Sequence, residues 1–168
     1  MAAEGGFTAP GGAAPGLRVA VLASRFHSQV CERLLAGCRD ALRQRGAVAA
    51  EVLRVPGAFE LPLAARWLAD RMPPARPEAI VALGAVIRGE TAHFDYISSA
   101  CVRGLAAVAR DSRLPVSLGV LTTDTLQQAL ARCPEGEDNK GYQAALAAIE
   151  MALLRRQQGR DQQDRDDT

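Results

Sequence analysis

In the stretch ALGAVIRGETAHFDYI, residues 82–97, a run fit for a buried strand passes directly into one fit for a helix. Between them stand Arg88, Gly89, Glu90 and Thr91, and His93 follows, one of the chain's two histidines. The N–H groups that open a helix lack intrahelical acceptors and lie at the positive end of its dipole, so they favour an anion. Gly89 lets a ligand approach the main chain closely. A phosphate suits such a place, and Glu90 is compatible with it only if its carboxylate points away while the backbone binds. His93, within one turn of that anion, is suited to moving protons near neutral pH. Phe26 and Phe59 offer faces on which a flat heterocycle could stack. Glu60 could accept hydrogen bonds from ligand hydroxyls. Each has an ordinary alternative: a turn and cap at 89–91, a structural histidine, aromatics that fill gaps between helices, and a glutamate that complements a helix dipole. Arg88 could bind phosphate or sit in an ion pair.

Elements must hold these residues in place. The runs LRVAVLA (17–23), AEVLRVPG (50–57), EAIVALGAVI (78–87) and PVSLGVLTT (115–123) read as strands covered on both faces. Val30, Leu34, Leu35, Cys38 and Leu42 recur at helical spacing, and Gly46 makes a C-terminal stop. Residues 58–72, 94–112, 125–132 and 140–156 read as further helices, the first with Pro62 near its start, where proline is tolerated. Thr123 or Asp124 could cap the short fourth helix. Strand followed by helix, four times, predicts a four-stranded parallel sheet in a three-layer α/β/α sandwich of flavodoxin-like type. Ligands of such sheets sit outside the carboxyl ends of the strands. That rule selects SRFH, VPGAFE, GAVIRGETAH and TTDT, and the residues singled out above fall in the first three.

Composition removes other classes. A net charge of +1 without a basic block argues against nucleic acid as a partner, and no apolar run is long enough for a membrane span. Residues 1–16 have no basic segment leading into an apolar core, so they are expected to form a flexible tail. Residues 157–168 are polar without an apolar stripe and are expected to be a disordered tail. Residues 17–156 are then the folded domain. Cys31, Cys38, Cys101 and Cys133 form no C-x-x-C pair, which fits buried thiols in a reducing compartment and a cytoplasmic location. There is no G-x-x-x-x-G-K-[ST], no G-x-G-x-x-G after the first strand, no G-x-S-x-G, and no His/Cys set with metal-ligand spacing.

The segments SRF, VPGAFELPLAA, LGAVIRGETAHFDYI, PVSLGVLTT, QALAR and NKG…AAIEM, in this order over residues 18–154, resemble the lumazine synthase family. VPGAFE followed by GAVIRGETAHFDY is highly specific to it. The resemblance implies condensation of 5-amino-6-(D-ribitylamino)uracil with 3,4-dihydroxy-2-butanone 4-phosphate to 6,7-dimethyl-8-ribityllumazine, phosphate and water. This is the penultimate step of riboflavin biosynthesis, and it uses no metal or organic cofactor. It also implies that Phe26 stacks on the pyrimidine, that Ala58, Phe59 and Glu60 hold the ribityl chain, and that Val86 and Ile87 meet the pyrimidine by their main chain. Glu90 and Thr91 would bind phosphate through backbone N–H groups, with His93 moving protons. Leu118, Arg132 and Lys140 would come from an adjacent subunit, Arg132 gripping the phosphate, in a homo-oligomer whose sites lie between subunits.

Three positions depart from the family's pattern. His27 stands where a small polar residue such as Asn is frequent, and Leu118 where an aromatic often closes the pocket. CPEGED, residues 133–138, replaces the Gly/Lys-rich turn of the sixty-subunit shells, so a pentamer is the expected assembly. A family member that binds flavin or lumazine without turnover, or serves as a scaffold, is the alternative. A receiver-type signalling domain would need an acidic pair after the first strand, where this chain has SRF.

Overall fold

The computed structural model describes residues 12–166, with side chains described up to residue 159. Its strands are β1 (Arg18–Ser24), β2 (Val48–Val55), β3 (Ala79–Ile87) and β4 (Val116–Thr123). Its helices are α1 (Ser28–Gln44), α2 (Leu61–Ala69), α3 (His93–Ser112), α4 (Leu126–Ala131) and α5 (Lys140–Asp166), with a 3-10 turn at Ala58–Glu60 leading into α2. The four strands form one parallel sheet in the order β2-β1-β3-β4. The chain therefore leaves β1 toward one edge to make β2 and returns past it to make β3. The β1/β3 boundary is the point at which the winding reverses, where a crevice opens above the strand ends.

The β1 and β3 side chains alternate between two apolar layers. Val19, Val21, Ala23, Val81, Leu83 and Ala85 pack on α1 and α5, whereas Ala20, Leu22, Ile80 and Ala82 pack on α2 and α3. Both faces are covered, so these strands read as continuous apolar runs without polar alternation. The layers are thin because so much of the lining is alanine and glycine. Where α1 crosses α5, a Cβ on Gly141 would collide with the main chain of Leu34.

Two boundaries differ from those expected. The cap of α4 is Thr125, not Thr123 or Asp124. Thr125 is extended and its Oγ1 accepts from the Gln128 N–H at 3.1 Å, while Gln128 Oε1 accepts from the Thr125 N–H at 3.3 Å. This reciprocal box needs Gln three residues after the cap. Thr123 is buried and donates its hydroxyl to the Thr125 carbonyl at 3.0 Å. Helix α5 runs to Asp166, well past Arg156. Its apolar stripe ends near Leu153, but the segment beyond contains no proline and is rich in Gln and Arg, good helix formers that carry the helix through Gly159. Residues 1–11, most of the expected N-terminal tail, lie outside the described residues, as do 167 and 168. No helix among the described residues is long and apolar enough to cross a membrane.

Candidate active site

Three loops converge at the carboxyl ends of β1, β2 and β3. The Arg25 and Phe26 N–H groups donate to the carbonyls of Val55 and Pro56 at 2.9 and 3.1 Å, stitching the loop after β1 to the loop after β2. The Phe26 carbonyl accepts from Ser24 Oγ at 3.4 Å and Cys31 Sγ at 3.2 Å. Its backbone is therefore pinned from both sides, yet its ring is 67% exposed. Phe59 is 59% exposed. Neither aromatic fills a gap between helices, and both line the same cavity.

His27 opens α1 with φ 54° and ψ 50°, a left-handed conformation that His, Asn and Asp adopt more readily than other side chains. That backbone requirement accounts for a histidine in a position where asparagine also serves. Its ring meets Phe26 edge-on, with centroids 4.8 Å apart and planes at 77°. Partial burial lowers the His27 pKa, favouring the neutral imidazole.

After β2, the Gly57 N–H donates to Glu60 Oε2 at 2.9 Å. The carboxylate thus orders its own loop with one oxygen, and Oε1 has no hydrogen-bond partner among the described residues. Val86 and Ile87 end β3, half-buried. Beyond them the N–H groups of Gly89, Glu90, Thr91 and Ala92 find no acceptor among the described residues. Thr91 Oγ1 accepts from the His93 N–H at 3.4 Å, helping to turn the chain into α3. Arg88 is committed elsewhere. Its guanidinium donates to Asp124 at 2.8 Å and Asp95 at 3.3 Å and lies 4.1 Å over the Phe94 ring. The hydrogen bond to Asp124, and then that to Asp95, raise its pKa. Of its two readings the ion pair holds. Arg88 braces both ends of the turn whose N–H groups stand free.

Together these loops enclose a cavity of about 450 Å³ lined by Phe26, Ala58, Phe59, Glu60, Val86, Ile87, Thr91 and His93. Glu90 is exposed and lies outside the lining, as a main-chain phosphate cradle requires. Leu118, Arg132 and Lys140 are elsewhere. They line a second cavity of about 390 Å³ beside β4 and α5. One protomer therefore brings the expected site residues together in two groups and does not join them. Phe94 and Ile97 also line the first cavity and Gln143 the second. Their signal was positional: Phe94 and Ile97 lie within the first turns of a helix whose start faces the crevice. The four cysteines are free and buried, and burial pushes the thiols of Cys31 and Cys101 up to about 11 and that of Cys38 up to about 12. None is a nucleophile at neutral pH.

A sequence model of the 6,7-dimethyl-8-ribityllumazine synthase family matches residues 16–156. The chain belongs to that family. A 6,7-dimethyl-8-ribityllumazine synthase of Syntrophus aciditrophicus (strain SB) is 48% identical over 146 residues, covering 86% of this chain and 93% of the relative. Within a lumazine synthase fold both cavities fall inside the matched region, as do His27 and Leu118. The match ends at Arg156, where the apolar stripe of α5 has already run out.

Proposed function

We propose that the two cavities are halves of one pocket, completed when β4 and the start of α5 of one subunit meet the β1/β3 crevice of the next. The reaction is the lumazine synthase condensation of 5-amino-6-(D-ribitylamino)uracil with 3,4-dihydroxy-2-butanone 4-phosphate, a transferase step of riboflavin biosynthesis. The free N–H groups at 89–92 beside His93 are the observation that carries the reading. They lie just ahead of the electropositive start of a long helix, at an apolar cavity of substrate size.

In this reading Phe26 stacks on the pyrimidine, held by the edge contact with His27. The main chain at Val86 and Ile87 meets the polar edge of the ring, and Ala58, Phe59 and Glu60 hold the ribityl chain. The phosphate rests on the N–H groups of Glu90 and Thr91 and is gripped from the neighbour by Arg132. Leu118 and Lys140 cover the heterocycle from that side. The substrate amine adds to the ketone and loses water to give an imine, phosphate leaves by elimination, and the ribitylamino nitrogen attacks the second carbonyl to close the ring with loss of a second water. His93, one turn from the phosphate, passes the protons each step requires. Holding two reactants in one cavity supplies much of the acceleration.

Exposed apolar side chains support self-association. Trp67 and Tyr96, on α2 and α3, are 63% and 73% exposed, and Leu63 and Val102 are exposed on the same two helices. The assembly proposed is a pentamer, in the cytoplasm. The test is lumazine formation from the two substrates with the uncatalysed rate subtracted. A protein-dependent rate supports the reading, and a rate at background with substrate still bound refutes it.

A further inference from the structure

We infer that Asn139 is a positioning residue, whose side chain holds Arg132 and Lys140 as one fixed cationic pair. It is 2% exposed and uses its amide fully. Nδ2 donates to the Arg33 carbonyl in α1 at 3.0 Å and to the Pro134 carbonyl at 2.8 Å. Oδ1 accepts from the N–H groups of Gly141 at 2.8 Å and Tyr142 at 3.4 Å, the first turn of α5. One buried amide thus ties three pieces together: α1, the loop 133–138, and the helix that begins with Lys140. Directly beside it the Lys140 N–H donates to the Arg132 carbonyl at 2.9 Å, closing that loop into a ring with the two cations at its mouth. Their side chains line the same cavity. Gly37 makes room for this, because a Cβ there would overlap the Asn139 amide.

A helix cap alone would need only the acceptor oxygen. The two donations to carbonyls outside the helix are what set the loop, and with it the reach of Arg132. Serine at 139 separates the roles, keeping a capping oxygen and adding no charge while removing both donors. The inference rests on Arg132 being the phosphate-gripping residue, so Arg132→Ala is measured first, with inorganic phosphate as competitor. If phosphate competes equally well against Arg132→Ala, that underlying reading falls whatever Asn139 does.

If Arg132 matters, Asn139→Ser is expected to raise the KM for the phosphate substrate and the inhibition constant of inorganic phosphate together, by about tenfold. The saturated rate and assembly mass should stay near the parent's, while the melting temperature falls with the two lost buried hydrogen bonds. Gly37→Ala, which crowds the amide without replacing it, should move the same two constants and carries the test should Asn139→Ser not fold. Unchanged constants in a folded variant, or a lost saturated rate at unchanged KM, would overturn the inference.

Discussion

At the scale of the residue, the site depends on groups that the fold leaves unsatisfied on purpose. Phe26 is held by its backbone and free at its ring, and the turn at 89–92 has its ends braced by Arg88 and its N–H groups unbonded. His93→Ala is expected to slow condensation about a hundredfold, the low end of what general acid–base catalysis contributes, and to leave the assembly mass unchanged. Steady-state rates alongside sedimentation check both parts. His27 gives a pH signature. Its folded pKa lies below 6.5, so between the two values the unfolded chain binds a proton that the folded chain does not. Stability should therefore fall as pH drops from 6.5, the loss being complete below the folded value. Urea midpoints at several pH values should show this slope, and His27→Asn should flatten it while keeping the left-handed start of α1. Residue type and spacing alone raised phosphate binding and proton transfer at GETAH beside the ordinary reading of a turn and cap. They could not tell whether Arg88 bound the phosphate, because only the positions of Asp95 and Asp124, brought in from α3 and the end of β4, decide that.

At the scale of the element, sequence periodicity was enough to find the four strands and five α-helices among the described residues, since apolar strand runs and amphipathic helices leave different patterns. The limits were set by contacts across the fold. The cap of α4 is decided by Gln128 reaching back to Thr125, and α5 continues through Gly159, so that glycine does not stop it as Gly46 was expected to stop α1. The role of Gly141 was invisible as well, because the spacing of α1 and α5 appears only once the layers are built. Gly141→Ala should force those helices apart and cost about 1–3 kcal/mol, the usual range for overpacking a tight core. Thermal melting measures this. The helices carrying Leu34 and Lys140 would separate, so a drop in phosphate affinity should accompany the lowered midpoint.

At the scale of the whole molecule, the residues expected of one site line two separate cavities. The crevice at the switch point holds the aromatic, the cradle and the imidazole, while the cation lies beside β4 at the edge of the sheet. The resemblance to the family implied this division, and the residues alone did not, since spacing along a chain cannot say whether two groups meet within a protomer or across an interface. On the proposed reading a closed ring of identical subunits would join them, each copy giving one half and receiving the other. Two inactive variants distinguish this from a pocket that each protomer closes on itself. His93→Ala damages the crevice and Arg132→Ala the donated half. Unfolded together and refolded as mixed assemblies, they should regain activity wherever a subunit with an intact crevice lies beside one with an intact Arg132. Each variant refolded alone should stay at its own low rate. If mixing gives no more than the sum of the two separate rates, the halves do not meet between subunits, and Arg132 must reach the phosphate within its own chain or not at all.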